Sequence, residues 1–433
     1  MFVTIANTPR DYAWGSTSAI AEFRGVAPSG APEAELWLGA HAGSPAVVVD
    51  EASVGHADLA EWIAAEPEQA LGARLARHGA RLPFLLKLLA AAEPLSLQAH
   101  PTPEQAREGF AREEADGVPV SAYDRNYRDE FHKPELIVAV SETFDALSGF
   151  RPLEEVAGIL QTLRAADAAD AAPDPGALDL LAAHLGSADP LRDTVEWLLR
   201  DGRGGDTGEA AWVTERVTAL AASDTARRSP YALSFETVGT LAEVYPGDPG
   251  IVISLLLNRV RLRRGESLYL AAGNIHAYLA GLGIELMAAS DNVLRGGLTP
   301  KHIDVTELLE VLDFTPIAPP RLEPEPVAPG VVAFRPDVPD FVLYRAEPAS
   351  IAGTAALDAG AGDHAADAAR VPLDGPAIVL AEGGSLRLRG RLGESRLARG
   401  EAAYVTPDEG GVEITGDGIA WVATTGASEA SAD

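Results

Sequence analysis

From Phe2 to about Pro152 the chain reads as short apolar runs, such as SPAVVV and ELIVAV, set between turn residues, with a few helical stretches. That texture predicts a β-rich core with flanking helices. From Leu153 to about Val244 the period changes. LEEVAGILQTLRAA, GALDLLAAHLG, LRDTVEWLLRDG and TGEAAWVTERVTALAA place apolar residues three and four apart, separated by Pro, Gly and Asp. Such a run predicts an inserted helical domain. Strand character returns at GIVISLLLNRVRLRRGESLYLAAGNIHAYLAG and continues through IELMAAS, before a short helix in KHIDVTELLEVL. A proline-rich stretch, TPIAPPRLEPEPVAPG, predicts a stiff linker, and a further strand-rich unit follows it.

The organisation expected is a discontinuous β domain over 1–152 and 245–315 and a helical insertion over 153–244. A linker over 316–330 and a carboxy-terminal β domain over 331–433 complete it. A chain of 433 residues is long enough for several cores. An internal echo relates the two β units. RGESLYLAAGNIHAY begins at Arg264 and RGEAAYVTPDEGGVE at Arg399, and counting forward aligns His276 with Gly411. One copy then keeps a potential metal ligand that the other lacks.

Charge narrows the partners. With 34 basic and 64 acidic residues the formal charge is -30, a field that repels phosphodiester backbones and anionic lipid. Nucleic acid and membrane are therefore not expected as partners, whereas a phosphorylated small molecule needs only a local basic pocket. No stretch is long and apolar enough for a bilayer span, and the amino terminus lacks a signal pattern, so a cytoplasmic protein is expected. The sequence leaves the oligomeric state open, with a monomer as the default. The absence of cysteine excludes disulfides, thiolate zinc sites and cysteine nucleophiles together.

Basic residues are almost all arginine. The three lysines, Lys87, Lys133 and Lys301, stand in the least alanine-rich strings of the chain, LPFLLKLL, HKPEL and SDNVLRGGLTPKHID. A lysine kept against that drift suggests a compact charge that a guanidinium cannot replace. In PLSLQAHP, Ser96, Gln98 and His100 alternate, so a strand would send them to one face. His132, Lys133 and Glu135 lead into an apolar strand, where proline forces extended geometry on the preceding residue. His276 starts another strand after a Gly-Asn turn. Gln98, His100, Glu135 and His276 together make an N/O set that suits zinc without sulfur.

QAHP, HKPE, HAY and the run IELMAASDNVLRGGLTPK resemble the signatures of the type I phosphomannose isomerases, zinc enzymes of the cupin superfamily. YAWGS, ELWLGAHAGSPA and FDALSGFRP support the likeness, which extends in order from about residue 2 to 315 and is only architectural beyond. The resemblance implies a mainly β fold with an α insertion. A cupin-like jelly-roll core would carry the site, and a degenerate cupin-like unit would follow it. It implies one zinc per chain on Gln98, His100, Glu135 and His276. The family's active-site arginine falls on Arg295. Lys87, Lys133, Lys301, Ser96, Glu285 and Asp291 match pocket positions, and Phe131 stands where members often have asparagine.

The implied reaction interconverts mannose 6-phosphate and fructose 6-phosphate through an enediolate. Arg295 would stabilise charge, and Glu285, Asp291, His132 or a lysine such as Lys133 would carry the proton. Ser96, Lys133 and Lys301 would contact the phosphate, with Lys87 nearby. Two alternatives are another metal-dependent cupin enzyme, an oxygenase or epimerase, and a non-catalytic sugar-phosphate-binding cupin. The first would prefer more histidine and leaves LRGGLTPK unexplained; the second predicts a lost ligand or a lost Arg295, and neither is lost.

Overall fold

The computed structural model describes residues 1–202, 207–348 and 368–426, so the parts of the carboxy-terminal expectation at 349–367 and 427–433 lie outside the described residues. The protein is mixed α and β, and its sheets are antiparallel. Its first β unit has two layers that share one strand, His276–Ala288. The late part of that strand pairs with Phe84–Ala91 and Glu135–Ala139, with Glu35–Leu38 and Ser267–Leu270 outside them. Its first residues pair instead with Leu97–Ala99 and Thr143–Phe150, with Leu294–Gly297 and Leu257–Arg263 beyond. The crossing between layers falls at a register shift between Tyr278 and Ala280. Gly281 follows with φ 125°, and a Cβ there would meet the Phe144 Cα at 2.9 Å, so this corner requires glycine.

Both faces of the inner layer are covered, which explains why its strands read as unbroken apolar text. Along Phe84–Ala91 every residue is buried. Leu86, Leu88 and Ala90 join the apolar core outside the unit, whereas Leu85, Lys87 and Leu89 face the interior. Leu136 and Val138, and Ile284 and Leu286, repeat the outward pattern; Glu135 and Glu285 repeat the inward one. Each buried leucine or isoleucine contributes about 1.5–3 kcal/mol. The apolar side of these strands is thus what holds the polar side in place.

Helices from Leu153–Ala168 to Gly250–Ser254 pack on the outer face of the other layer. In Pro190–Asp201 the residues Leu191, Thr194, Val195, Leu198 and Leu199 are buried, the expected three and four spacing. One element departs from expectation. GIVIS, read as the start of a strand, is the helix Gly250–Ser254, and the strand begins at Leu257. A short apolar run has no periodicity to distinguish the two, and the Asp248 carboxylate fixes the turn by accepting from the Gly250 and Leu298 N–H groups.

The carboxy-terminal strands form an eight-stranded and a four-stranded sheet with an apolar core between them. Two amino-terminal strands belong to the larger sheet: Phe2–Ala6 pairs with Ala402–Val405 on one side and Val47–Val48 on the other. An alternating strand carries no record of which sheet it will join, so the sequence grouped residues 2–6 with the first unit. The proline-rich stretch, expected as a stiff linker, also packs against its neighbours. The Tyr269 N–H donates to the Pro320 carbonyl at 3.0 Å, and Glu325–Ala328 forms a strand on the sheet edge, where proline is tolerated.

The echo between the units holds through its first strand. Leu268 and Leu270 face one interior, Ala403 and Val405 the other. It then slips. His276 points inward, but in Gly411–Gly416 the buried residues are Val412 and Ile414, with Gly411 and Glu413 on the other face. Counting alone aligned His276 with Gly411; in space the inward position is Val412, because one residue of offset turns a strand over.

Candidate active site

Three strand ends from the two layers converge on one point. His100 follows Leu97–Ala99, Glu135 opens Glu135–Ala139 and His276 opens His276–Ala288. Their ligand atoms all lie within 4.8 Å of one another. His100 Nε2 is 3.2 Å from Glu135 Oε1, and His276 Nε2 is 3.4 Å from Glu135 Oε2. The other ring nitrogen of each imidazole faces a backbone carbonyl, Nδ1 of His100 that of Asn292 at 2.8 Å and Nδ1 of His276 that of Asn274 at 3.0 Å. A carbonyl only accepts, so Nδ1 carries the hydrogen in both rings and Nε2 presents a lone pair.

The centre therefore collects lone pairs against one another. His100 Nε2, His276 Nε2 and Glu135 Oε2 are buried without a hydrogen-bond partner. Burial pushes the His100 imidazole down to about 4, so it stays neutral. Burial opposes ionisation of Glu135, but its charged neighbours, Lys133 first among them, overcome it and hold its carboxyl well below the usual range. Two buried imidazoles and a buried carboxylate aimed at one point are costly alone and match a divalent cation. Gln98 lines the same cavity, opposite both His276 and Arg295 in strand register, and offers a neutral amide oxygen.

The cavity has a volume of about 550 Å³. In its wall Lys87 Nζ lies 2.8 Å from Glu285 Oε2 and 3.7 Å from Glu35 Oε1. Trp37 donates its indole N–H to Glu35 at 2.8 Å, completing a buried chain. Burial alone would lower the Lys87 ammonium, but Glu285 and Glu35 overcome it and raise it, so it is charged. Burial raises the Glu285 carboxyl, and Glu135 and Glu35 add to that against the pull of Lys87. Lys133 Nζ lies 3.1 Å from Glu135 Oε1.

Arg295, Lys301, Ser96 and Asp291 also line the cavity. Arg295 and Lys301 are each lowered first by burial and then by neighbouring cations, Arg128 among them. Two cations forced together in an acidic chain form the local basic pocket that a phosphorylated ligand requires. Asp291 is held below the usual carboxylate range, chiefly by a hydrogen bond from His41, 3.3 Å away.

The structure takes one expected residue elsewhere. His132 is not among the cavity residues; its Nε2 lies 2.8 Å from Asp340 Oδ2, in the loop between two carboxy-terminal strands. Next to it, Phe131 supports the guanidinium of Arg81, 3.7 Å from its ring centroid, and makes its hydrogen bonds through the backbone. The Phe131 side chain does not line the cavity. Sequence reasoning missed Trp37, His41 and Tyr278, which also line the cavity. Tyr278 had a signal, since it stands two residues beyond His276 and so on the same face of the strand.

Comparison with known proteins agrees with this geometry. Residues 2–153 match the family model for the phosphomannose isomerase type I catalytic domain. The mannose-6-phosphate isomerase of Salmonella typhimurium is 36% identical over 418 residues, covering 96% of this chain and 97% of the relative. The Homo sapiens mannose-6-phosphate isomerase is 31% identical over 366 residues, 78% of this chain and 80% of the relative. A solved zinc-bound mannose 6-phosphate isomerase superposes with a TM-score of 0.82 at 31% identity, covering 98% of this chain and all of that one. With this likeness running nearly end to end, the chain belongs to the type I phosphomannose isomerase family.

Proposed function

We propose that the chain is a zinc-dependent isomerase of mannose 6-phosphate and fructose 6-phosphate, with one zinc ion held by Gln98, His100, Glu135 and His276. The observation that carries the reading is the set of unpartnered ligand atoms on His100, Glu135 and His276 beside a cavity that also holds Arg295 and Lys301. Bound there, zinc would act as a Lewis acid toward the sugar oxygens.

The protein's own groups supply the rest. Once the sugar ring is open, a base takes the C2 proton, and the C–H electrons form the C1–C2 double bond while the C1 carbonyl oxygen becomes an alkoxide. The proton returns at C1, and the hydroxyl proton of O2 passes to O1, leaving the ketose. Glu285 is our choice for the carbon proton. Burial raises its carboxyl, which makes it a stronger base than an ordinary carboxylate, and Lys87 fixes its direction. Asp291, held ionised and half exposed, suits that task less well, and His132 is engaged by Asp340. Arg295 cannot serve as a base and is assigned to the developing oxyanion. Lys133 keeps Glu135 anionic, and Lys301 and Ser96 are assigned to the phosphate.

The test combines elemental analysis with an assay of fructose 6-phosphate formation on the purified protein. One zinc per chain, activity lost to a chelator and activity restored by zinc are expected. A metal-free protein of full activity, or a zinc protein without isomerase activity, would refute the reading.

A further inference from the structure

His100 takes its ring orientation from a residue 192 positions away, the Asn292 carbonyl. His276, by contrast, uses the carbonyl of Asn274 on its own turn. A distant carbonyl can orient an imidazole only if its own peptide is held, and the Asn292 side chain holds it. That residue is 0% exposed. Its Oδ1 accepts from the Arg128 and Asp129 N–H groups at 2.7 and 3.3 Å. Its Nδ2 donates to the carbonyls of Asp129 and Phe131, both at 2.8 Å. Asp129 closes the knot: its Oδ1 accepts from the Ser290 hydroxyl at 2.8 Å and its Oδ2 from the Asp291 N–H at 2.8 Å. The loop 128–131 tied in this way runs directly into Lys133 and Glu135.

We propose that Asn292 is a positioning residue of the metal centre, whose single buried amide fastens the carbonyl that orients His100 to the loop that delivers Glu135. The proposal rests on the zinc reading above. Groups that orient metal ligands typically contribute 10–100-fold in affinity, on the order of what is expected here. Asn292→Asp keeps the shape but replaces both Nδ2 donors with an acceptor, setting a carboxylate oxygen against the Asp129 and Phe131 carbonyls. Asn292→Ala removes all five side-chain bonds, including the one from Nδ2 to Asp129 Oδ1 at 3.3 Å.

Zinc affinity would be measured by chelator competition in the parent and both variants, with melting curves of the zinc-free and zinc-loaded forms and the absorption spectrum of the cobalt(II) form. Affinity about 10–100-fold weaker is expected, together with a smaller zinc-dependent rise in Tm and shifted cobalt bands. If the zinc-free variants melt lower while zinc affinity stays within about twofold and the cobalt spectrum is unmoved, the amide only braces a loop and the proposal fails. Should neither variant fold, Asp129→Asn decides, with a smaller loss of affinity expected and parental affinity counting against the proposal. A parent chain that binds no zinc would sink the metal reading first, before any variant is compared.

Discussion

The two β units were built to similar plans and filled differently. In the first, the interior holds Lys87, Glu135, Glu285, His100 and His276, all buried. In the second, the space between the sheets is taken by Ala403, Val405, Val412, Ile414 and Val422. A polar interior needs every group partnered, and here the partners are Glu285 and Glu35 for Lys87 and backbone carbonyls for the imidazoles, while the proposed zinc would answer the ligand atoms left over at the centre. An apolar interior asks only for volume. The contrast teaches that apolar packing fills the second unit and the outer faces, while the first unit keeps a cluster of charges that is costly to bury. The arginines of the echoed Arg-Gly-Glu strings tie the units together: Arg264 pairs with Glu382, and Arg399 donates to the Phe23 carbonyl at 2.9 Å.

The sharpest way to break the comparison is to make the first interior resemble the second. Glu135→Ala removes the only carboxylate among the three clustered ligands. Zinc should be lost and turnover should fall about a thousandfold or more, since more than one oxyanion donor's worth of stabilisation goes with it. Elemental analysis and steady-state kinetics check this together. Retained stoichiometric zinc would return Glu135 to the role of a buried ion-pair partner for Lys133.

Arg295→Ala ranks next. If the guanidinium acts on the developing oxyanion, kcat should fall about a hundredfold with zinc content unchanged. If it mainly holds phosphate, KM should rise while kcat stays near normal, the mark of lost uniform binding. The second result would move Arg295 to the substrate-binding group without touching the metal centre.

How much of this could be read beforehand depended on whether a signal was local. The convergence of His100, Glu135 and His276 was legible because QAHP, HKPE and GNIHAY are compact strings whose residue types suit zinc. The helical insertion was legible because a period of three and four persists over many turns. The affiliation of Phe2–Ala6 was not, since an alternating strand looks the same in either sheet. Nor was the role of His132: the string marks it as polar beside a site, while its partner Asp340 lies 208 positions away. Asn292 was hidden for the same reason, its work being done across loops that only the fold brings together.

Val412→His tests the second interior from the opposite side. Val412 is 2% exposed and its neighbours are apolar, so an imidazole there would lack both a hydrogen-bond partner and companion ligands. A loss of about 2–5 kcal/mol in denaturant unfolding is expected, with no additional zinc. A second equivalent of metal would show that the degenerate unit still holds a latent ligand set.

The smallest effect, and the most discriminating for the register, is expected from Gly411→His. Counting from the Arg-Gly-Glu strings makes this the change that restores the missing ligand. The structure makes it a substitution on the far face of the strand, because Val412 and Ile414 take the inward positions. The backbone there does not require glycine, and an added Cβ would meet the Val371 carbonyl at 3.3 Å, a contact that a small shift relieves. Zinc should remain at one per chain, kcat and KM should be unchanged, and stability should move by no more than about 0.5 kcal/mol, as at an ordinary surface position. The pair of histidine variants thus separates two descriptions of the same strand. If Gly411→His proves damaging and Val412→His harmless, the inward face has been misassigned and the alignment by counting was correct; the reverse pattern places the one-residue slip in the turn between Val405 and Gly411.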